Sequence, residues 1–338
     1  MSLDPLKKAR LLAALTLATT ALVGSLFYFA TRAPGGSSPV IVEVAPGSGL
    51  KQVASRLAEQ GLIKSTRAFQ ALAYLKRVQN QIQVGEFELT PAMSAGEVLS
   101  RLTRGHSIQH AITIPEGHRI TEIAAALEAK GLADRTSFLH LTQDPEVIDS
   151  YSLDVTSLEG YLFPETYHFS KFTSERTILN VMVATFKERV MQPEVLDRAR
   201  AMGLTLHQAV TLASLIEKET GVDEERPLIS SVFHNRLKID MKLQTDPTVI
   251  YALEDFDGNL RKKDLGIDSP YNTYRYPGLP PGPIANPGLK SILAALSPAE
   301  SDYLFFVSRQ DGSHQFSTNL PDHNRAVMKY QLKKIRRG

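Results

Sequence analysis

The longest apolar stretch of the chain lies close to its N-terminus. Residues 11–30 read LLAALTLATTALVGSLFYFA and carry no charge. At about 1.5 Å per residue, a helix of this length crosses the hydrocarbon core of a bilayer. Lys7, Lys8 and Arg10 precede the stretch and Arg32 follows it. The positive-inside rule therefore predicts a cytoplasmic N-terminus at 1–10, a transmembrane anchor at 11–31 and an exported remainder.

A cleaved signal peptide is the alternative interpretation of the same residues. The apolar core of a signal peptide usually spans about 7–15 residues and precedes a small-residue cleavage site. Here the apolar stretch is longer, and residues 33–39 read APGGSSP, without a good A-x-A site. The pattern favours an uncleaved anchor, followed by a short flexible spacer at 32–39.

Two copies of one pattern follow at an offset of 70 residues. Each copy has a β-prone run, a glycine turn and an amphipathic helix that ends at a second glycine. The glycines are Gly47 and Gly61 in the first copy and Gly117 and Gly131 in the second. This pattern is similar to the LysM carbohydrate-binding module, although a generic strand-turn-helix would give it too. We predict small LysM-like α/β modules in a region spanning 40–155, with a strand at 85–89 and a helix at 94–102 between the copies.

The sequence pattern of the chain changes after residue 155. Long helical patterns cover 174–191 and 193–202, and a T-x-x-Q capping box at Thr205 predicts the start of another helix that continues to Thr220. We therefore predict a second domain at 156–338 and an α+β fold overall.

Two glutamates, Glu217 and Glu219, lie near the end of this last helix, away from its polar stripe. A carboxyl on an apolar helix face loses hydration, which raises its pKa and keeps it protonated, as a general acid requires. The alternative is a helix-end glutamate paired with a lysine. Periodicity favours Glu217 only slightly, because its neighbours form the more coherent apolar stripe.

A loop rich in proline and glycine covers 269–288. So many helix and strand breakers require an irregular loop, and long ordered loops often carry function. The chain has no tryptophan, so Tyr271, Tyr274 and Tyr276 are its candidates for stacking on a sugar ring. Asn272, together with Gln244 and Thr245 of the preceding polar stretch, offers hydrogen bonds to hydroxyls. Plain packing would account for the aromatic residues equally well.

Composition argues against several classes of function. The formal net charge is only +2, which makes nucleic acid an improbable partner. There is no cysteine, so disulfides, thiol nucleophiles and cysteine-ligated zinc are excluded. Neither G-x-S-x-G nor H-E-x-x-H occurs, and His314 and His323 are interpreted as structural or solvated. One basic cluster is interpreted as a solvated helix end: Lys329, Lys333, Lys334, Arg336 and Arg337.

Six short motifs stand in order along the chain: 159–167 (EGYLFPETY), 213–220 (ASLIEKET), 235–237 (NRL), 243–248 (LQTDPT), 269–274 (SPYNTY) and 278–284 (GLPPGPI). Together they closely resemble the MltG-type (YceG-like) endolytic murein transglycosylases, and the resemblance covers nearly the whole chain. Two departures are visible. Glu165 stands where the family usually has aspartate, and Asp240 stands where glycine is common.

The resemblance implies a lysozyme-like α+β catalytic domain after the LysM-like modules. It implies that Glu217 is the catalytic acid and then the base, that Glu219 supports the site, and that neither a metal nor a cofactor is needed. The reaction would cleave the β-1,4 bond between MurNAc and GlcNAc and close a 1,6-anhydro ring without water. Substrate binding is assigned to Glu219, Asn235, Gln244, Thr245, Asp246, Tyr271, Asn272 and Tyr274.

The implied partners are peptidoglycan glycan strands, the bacterial inner membrane and the peptidoglycan synthases (penicillin-binding proteins), with the catalytic domain in the periplasm. Two other functions stay open at this point. One is a hydrolytic muramidase that uses Asp246 or Glu219 as a second carboxylate. The other is a membrane-anchored scaffold that binds peptidoglycan without cleaving it.

Overall fold

The N-terminal apolar stretch forms a single helix in the computed structural model, which describes residues 4–332. Helix α1 (Pro5–Thr31) is capped by Asp4, and its segment Leu6–Thr31 is long and apolar enough to cross a membrane. The hydroxyl of Thr16 donates to the carbonyl of Leu12 at 2.8 Å, as serines and threonines do in helices that lack water. The predicted helix is thus present, and it suggests a membrane anchor.

Parts of two sequence predictions fall outside the described residues. They are residues 1–3 of the predicted cytoplasmic N-terminus and, in the basic C-terminal cluster, Lys333, Lys334, Arg336 and Arg337.

The chain divides into two units. The smaller comprises the chain up to His110 together with His168–Phe172. Strand Val40–Val44 pairs antiparallel with strand Gly85–Leu89 across a buried core that includes Leu57 and Phe69. After α1, its elements are β1 (Val40–Val44), α2 (Leu50–Glu59), α3 (Thr66–Leu75), β2 (Gly85–Leu89) and α4 (Ala95–Arg104).

The two copies of the repeat adopt the same local geometry. Gly47 and Gly117, which form the turns, have φ of 77° and 76°, and Gly61 and Gly131, which follow the helices, have φ of 70° and 65°. Glycine is favoured at all four because a side chain is strained in this left-handed region. The second copy runs from β3 (Gln109–Thr113) into α5 (Ile120–Ala129). Residues Ala111–Tyr167, which contain most of this copy, belong to the larger unit.

The larger unit comprises Ala111–Tyr167 and the chain from Thr173 onward. Helices dominate it, and its last two strands, Phe305–Ser308 and His314–Ser317, pair antiparallel. Strand β3 pairs with strand Thr166–Ser170 in a separate two-stranded sheet. The fold class is therefore α+β, as predicted. Its remaining elements are α6 (Arg135–Leu141), α7 (Pro145–Asp149), β4 (Thr166–Ser170), α8 (Glu175–Val190), α9 (Pro193–Ala201), α10 (Leu206–Glu219), α11 (Arg226–Lys238), α12 (Asp246–Ala252), α13 (Leu289–Ala295), β5 (Phe305–Ser308), β6 (His314–Ser317) and α14 (Leu320–Val327), with short 3-10 turns at Asp223–Glu225 and Asp264–Gly266 and a π-helical turn at Met328–Leu332.

Helix α10 lies in the core of the larger unit. The predicted capping box is formed: the Thr205 hydroxyl accepts from the Gln208 N–H at 3.1 Å, and the Gln208 side chain accepts from the Thr205 N–H at 2.9 Å. Every residue from Ala209 to Ile216 is buried, and the helix packs against α11 and α13. The C-terminal turn of α10, which carries both glutamates, is therefore held on several sides.

Candidate functional site

Glu217 and Glu219 point to different surroundings, because two positions along a helix are separated by about 200°. Glu217 faces α11 and the loop before α13, whereas Glu219 faces a cavity beside the β5–β6 hairpin.

Glu217 is held in a buried ion pair. Its Oε1 accepts from the Arg226 guanidinium at 3.1 Å, and its Oε2 accepts from the Gly288 N–H at 2.9 Å. Only 6% of the Glu217 side chain and 5% of the Arg226 side chain are exposed. The carboxylate of Glu217, although it extends from an apolar helix face, is thus occupied by two donors.

Arg226 connects this pair to further groups. Its guanidinium also contacts Asp223 at 3.0 Å and Glu116 at 3.8 Å. Burial, reinforced by the charge of Glu217, raises the pKa of Glu116. The Glu116 side chain lies directly over Gly288, so a side chain at that position would require Glu116 to move.

A second buried carboxyl, Glu159, holds the turn that packs on Glu217. Glu159 accepts from the Ile120 N–H at 3.1 Å and from the Asn286 amide at 3.0 Å. Asn286 also binds the turn directly, through its carbonyl to the Gly117 N–H at 2.9 Å. Burial raises the pKa of Glu159 to about 7. The EGYLFPETY motif thus supplies a residue that positions the 115–118 turn, a role that the sequence did not indicate.

Glu219 lines a cavity of about 510 Å³. Its carboxyl accepts a hydrogen bond from the hydroxyl of Thr245, which is itself buried. Burial raises the pKa of Glu219 to about 7, an effect that the Thr245 hydrogen bond opposes and the charge of Asp246 reinforces. The polar residues around the cavity are Glu219, Arg236, Gln244, Asp246, Tyr274, Ser308, His314, His323, Asn324 and Gln331, and the apolar ones are Leu243, Phe305, Phe306, Val307, Leu320 and Val327.

Leu243, Gln244 and Asp246 of the LQTDPT motif line this cavity, as does Tyr274 of the proline-rich loop. The Tyr274 hydroxyl donates to Asp246 at 2.6 Å, and Gln244 is exposed beside them. Gln244 has φ of 47°, a strained conformation for a residue with a side chain. The structure therefore brings Glu219, Gln244, Thr245, Asp246 and Tyr274 together.

Three residues predicted to bind substrate lie elsewhere. The Asn235 amide donates to the carbonyls of Ser301 and Tyr303, at 2.8 and 3.0 Å. Asn272 is completely buried, and its amide donates to two carbonyls of its own loop, at 3.0 and 2.8 Å. The Tyr271 ring packs on the ring of Tyr251 with 4.9 Å between centroids. These contacts shape the loop and the helix beside the cavity.

Sequence reasoning missed the far wall of the cavity. His314 and His323 both line it, and each also makes a packing contact, His314 with Glu225 and His323 with Phe305. The available signal was a hairpin: two β-prone runs flank Asp311 and Gly312, a common turn pair, so His314 begins the second strand. Within residues 4–332, no group of three or more His, Cys, Asp or Glu side chains is arranged to hold a metal ion.

Comparisons with known proteins agree with the motif resemblance. The model of the YceG-like family matches residues 42–329. An endolytic murein transglycosylase of Bacillus subtilis (strain 168) is 38% identical over 314 residues, which cover 86% of this chain and 84% of that protein. An endolytic murein transglycosylase of Streptococcus pneumoniae serotype 2 is 30% identical over 328 residues, which cover 88% of this chain and 59% of that longer protein.

A crystal structure of a yceG-like protein from Listeria monocytogenes has a similar fold. It superimposes with a TM-score of 0.60 at 34% identity, covering 85% of this chain and 98% of the Listeria chain. Since the family model and both relatives cover most of the chain, this protein belongs to the YceG-like family.

Proposed function

We propose that this protein is an endolytic murein lytic transglycosylase. It cleaves the β-1,4 bond between MurNAc and GlcNAc inside a glycan strand and leaves 1,6-anhydroMurNAc ends, which terminates the elongation of nascent strands. Family membership and the names of both relatives support this activity. The geometry adds a protonatable carboxyl in a cavity that also offers aromatic and polar groups.

We assign the catalytic role to Glu217, the first glutamate of the E-K-E-T motif, as the acid and then the base. The match of this motif and of the chain to the family supports the assignment. Arg226 and Gly288 hold the Glu217 carboxyl at the C-terminal end of α10. Glu219, which lines the cavity with a pKa raised to about 7, supports the site.

The reaction then uses one carboxyl in two roles. Protonated Glu217 donates to the glycosidic oxygen as the bond to C1 breaks and positive charge develops on the sugar ring. The Glu217 carboxylate next takes the proton of the MurNAc C6 hydroxyl, whose oxygen attacks C1 and closes the anhydro ring. No water is consumed, which distinguishes the reaction from that of a muramidase.

The test compares Glu217→Gln with Glu219→Gln in the purified full chain, using polymerised glycan and mass spectrometry of the ends. We expect anhydro ends from the wild type and a loss of about 10²-fold or more in kcat for folded Glu217→Gln. Glu219→Gln should keep measurable cleavage. Full activity of Glu217→Gln beside an inactive, folded Glu219→Gln would move the acid role to Glu219. Reducing ends would instead identify a muramidase.

We further propose the membrane arrangement and the division of labour along the chain. The helix α1 anchors the protein in the inner membrane with its N-terminus in the cytoplasm, and the remainder acts in the periplasm on strands near the membrane. The region 40–155 contributes LysM-like glycan binding, and 156–338 forms a lysozyme-like catalytic domain that works beside the peptidoglycan synthases. The shared turn geometry of the two repeat copies and the apolar α1 support this proposal.

A further inference from the structure

One nitrogen of the Arg226 guanidinium faces two carboxyls. Nε of Arg226 donates to the Ser291 hydroxyl and Nη1 donates to Asp223, each at 3.0 Å. Nη2 donates to Glu217 at 3.1 Å and lies 3.8 Å from Oε2 of Glu116. The bonds of Nε and Nη1 hold the guanidinium without help from either of these two carboxyls. Nη2 is therefore able to change its partner while the rest of the side chain stays in place.

Glu116 is the more accessible of the two carboxyls that face Nη2. In Glu116, 46% of the side chain is exposed, against 6% in Glu217. The Glu116 side chain lies over Gly288, the residue whose N–H donates to Glu217. A charged hydrogen bond between nitrogen and oxygen is usually about 2.7–2.9 Å long, so an approach of about 1 Å would join Nη2 to Glu116.

The ion pairs around Arg226 join more negative groups than positive ones. When ionised, the carboxyls of Glu116, Glu217 and Asp223 face two cations, Arg226 and Lys290, and Lys290 pairs with Asp223. One proton on one carboxyl would balance these charges, and an unbalanced charge is costly where burial removes water. Burial, reinforced by the charge of Glu217, raises the pKa of Glu116, which agrees with a proton held within this group.

The acid step requires a protonated Glu217, and a protonated carboxyl no longer balances the buried charge of Arg226. We propose that Glu116 is a positioning residue that takes over Nη2 of Arg226 whenever Glu217 is protonated, a role that rests on the transglycosylase function proposed above. The structure, in which Glu217 is bound to Arg226, then corresponds to the state in which Glu217 is the base.

The exchange follows the proton through the reaction. Glu217 gives its proton to the glycosidic oxygen as the bond from C1 to that oxygen breaks, and Nη2 returns from Glu116 to the new carboxylate. Its return stabilises the negative charge that develops on Glu217. Glu217 then takes the proton of the C6 hydroxyl as O6 forms its bond to C1, and Nη2 moves back to Glu116. Both carboxyls thus regain their starting states.

A charge at position 116 also keeps Glu217 ready as an acid. If Arg226 had no second carboxylate to bind, it would stay with Glu217 and favour loss of the proton before the substrate arrives. Glu116 therefore acts through Arg226 and has no need to touch the substrate.

The structure of folded Glu217→Gln tests the exchange without any measurement of activity. The amide is neutral, as a protonated carboxyl is, and has nearly the same shape. In crystals of the full chain in detergent, the distance from Nη2 of Arg226 to Oε2 of Glu116 should fall from 3.8 Å to about 2.9 Å. Wild-type crystals grown in the same way are the control and should keep the pair of Arg226 with Glu217. An unchanged distance in the variant would overturn the proposal.

Kinetics of Glu116→Gln test the same exchange through the acid step. Two substrates are compared: polymerised glycan, and a short glycan oligomer whose terminal MurNAc carries an umbelliferyl group at C1. The umbelliferyl group leaves with little protonation, so its release does not depend on the acid. Glu116→Gln should lower kcat on glycan by about 10-fold or more, with KM within about twofold of wild type, and should release the umbelliferyl group at nearly the wild-type rate. The control Glu128→Gln changes an exposed glutamate and should leave both rates unchanged.

Equal losses on the two substrates would show that Glu116 is merely structural, and a kcat on glycan within about twofold of wild type would also overturn the proposal. If Glu116→Gln does not fold, the same ratio of rates in Glu116→Ala decides, because both substitutions remove the charge. The underlying function is tested separately: Glu217→Gln should be inactive on both substrates, since both need the base, and wild-type products should carry anhydro ends. Cleavage by Glu217→Gln at the wild-type rate, or reducing ends, would contradict that function and not the exchange alone.

Discussion

Two glutamates separated by one lysine have opposite surroundings in this protein. Glu217 is neutralised by Arg226 and contributes to the packing of α10, whereas Glu219 is desolvated beside a cavity. The helical wheel correctly removed both from the polar stripe. It could not choose between them, because Arg226 and Gly288 approach Glu217 from segments 9 and 71 positions away. A pattern within one helix carries no information about such partners.

Gly160, in the EGYLFPETY motif, gives a test of packing at a single residue. Its φ is +88°, and a Cβ there would lie 2.5 Å from Pro283. Gly160→Ala should therefore cost the strain of the left-handed backbone, about 1–2 kcal/mol, together with a steric clash. Gly203→Ala is the matched control, since Gly203 has φ of +69° and open space around it. Thermal unfolding should show the larger loss of stability for Gly160→Ala. Equal losses in the two variants would mean that the loop containing Pro283 moves aside without a measurable cost in free energy.

At the scale of elements, the local sequence pattern predicted a helix or strand correctly where the residues of that element alone determine it. The strand β2 and the helices α4, α8, α9 and α10 lie within a few residues of their predicted bounds. Helix α12 was missed because its sequence, DPTVIYA, was interpreted as a polar stretch with a breaker, although proline is well suited to a first helical turn. The β5–β6 hairpin was missed as well. That omission hid the wall of the site that carries His314.

The end of α11 explains one departure from the family pattern. Asp240 follows the helix with φ of 54°, and Met241 N–H closes the end by donating to the Arg236 carbonyl at 2.9 Å. Glycine adopts this conformation without strain, so Asp240→Gly should raise the unfolding free energy by up to about 1 kcal/mol. Asp240→Ala is the control, because it removes the carboxylate and keeps the Cβ. Urea unfolding that ranks the glycine variant no higher than the alanine variant would contradict this explanation.

At the scale of the whole molecule, two buried carboxyls make stability depend on pH. Glu159 and Glu219 each have a pKa raised from 4.5 to about 7 in the folded chain. Between these values the folded state binds more protons than the unfolded state, so these groups lower the unfolding free energy as pH rises from 4.5 to about 7. Glu159→Gln should flatten this decline, and Glu224→Gln, at an exposed position, should not. Parallel profiles of Tm against pH for the wild type and Glu159→Gln would refute this prediction.

The anchor is the prediction that concerns the chain as a whole. If α1 spans the membrane uncleaved, the full chain should fractionate with membranes and its intact mass should include residues 1–31. A signal peptide would instead yield a shorter, soluble product.

Charged residues placed in the middle of α1 test whether this helix anchors the protein. Leu17 and Leu22 are exposed on α1, so replacing them by alanine leaves the folded part untouched. Leu17→Arg with Leu22→Arg should disrupt insertion, because each arginine near the centre of a bilayer costs about 2.5–3.5 kcal/mol. The paired alanine variant should still fractionate with membranes. If the arginine variant stayed with the membrane at the wild-type level, something other than α1 would hold the protein there. The proposed confinement to glycan strands near the membrane would then need another cause.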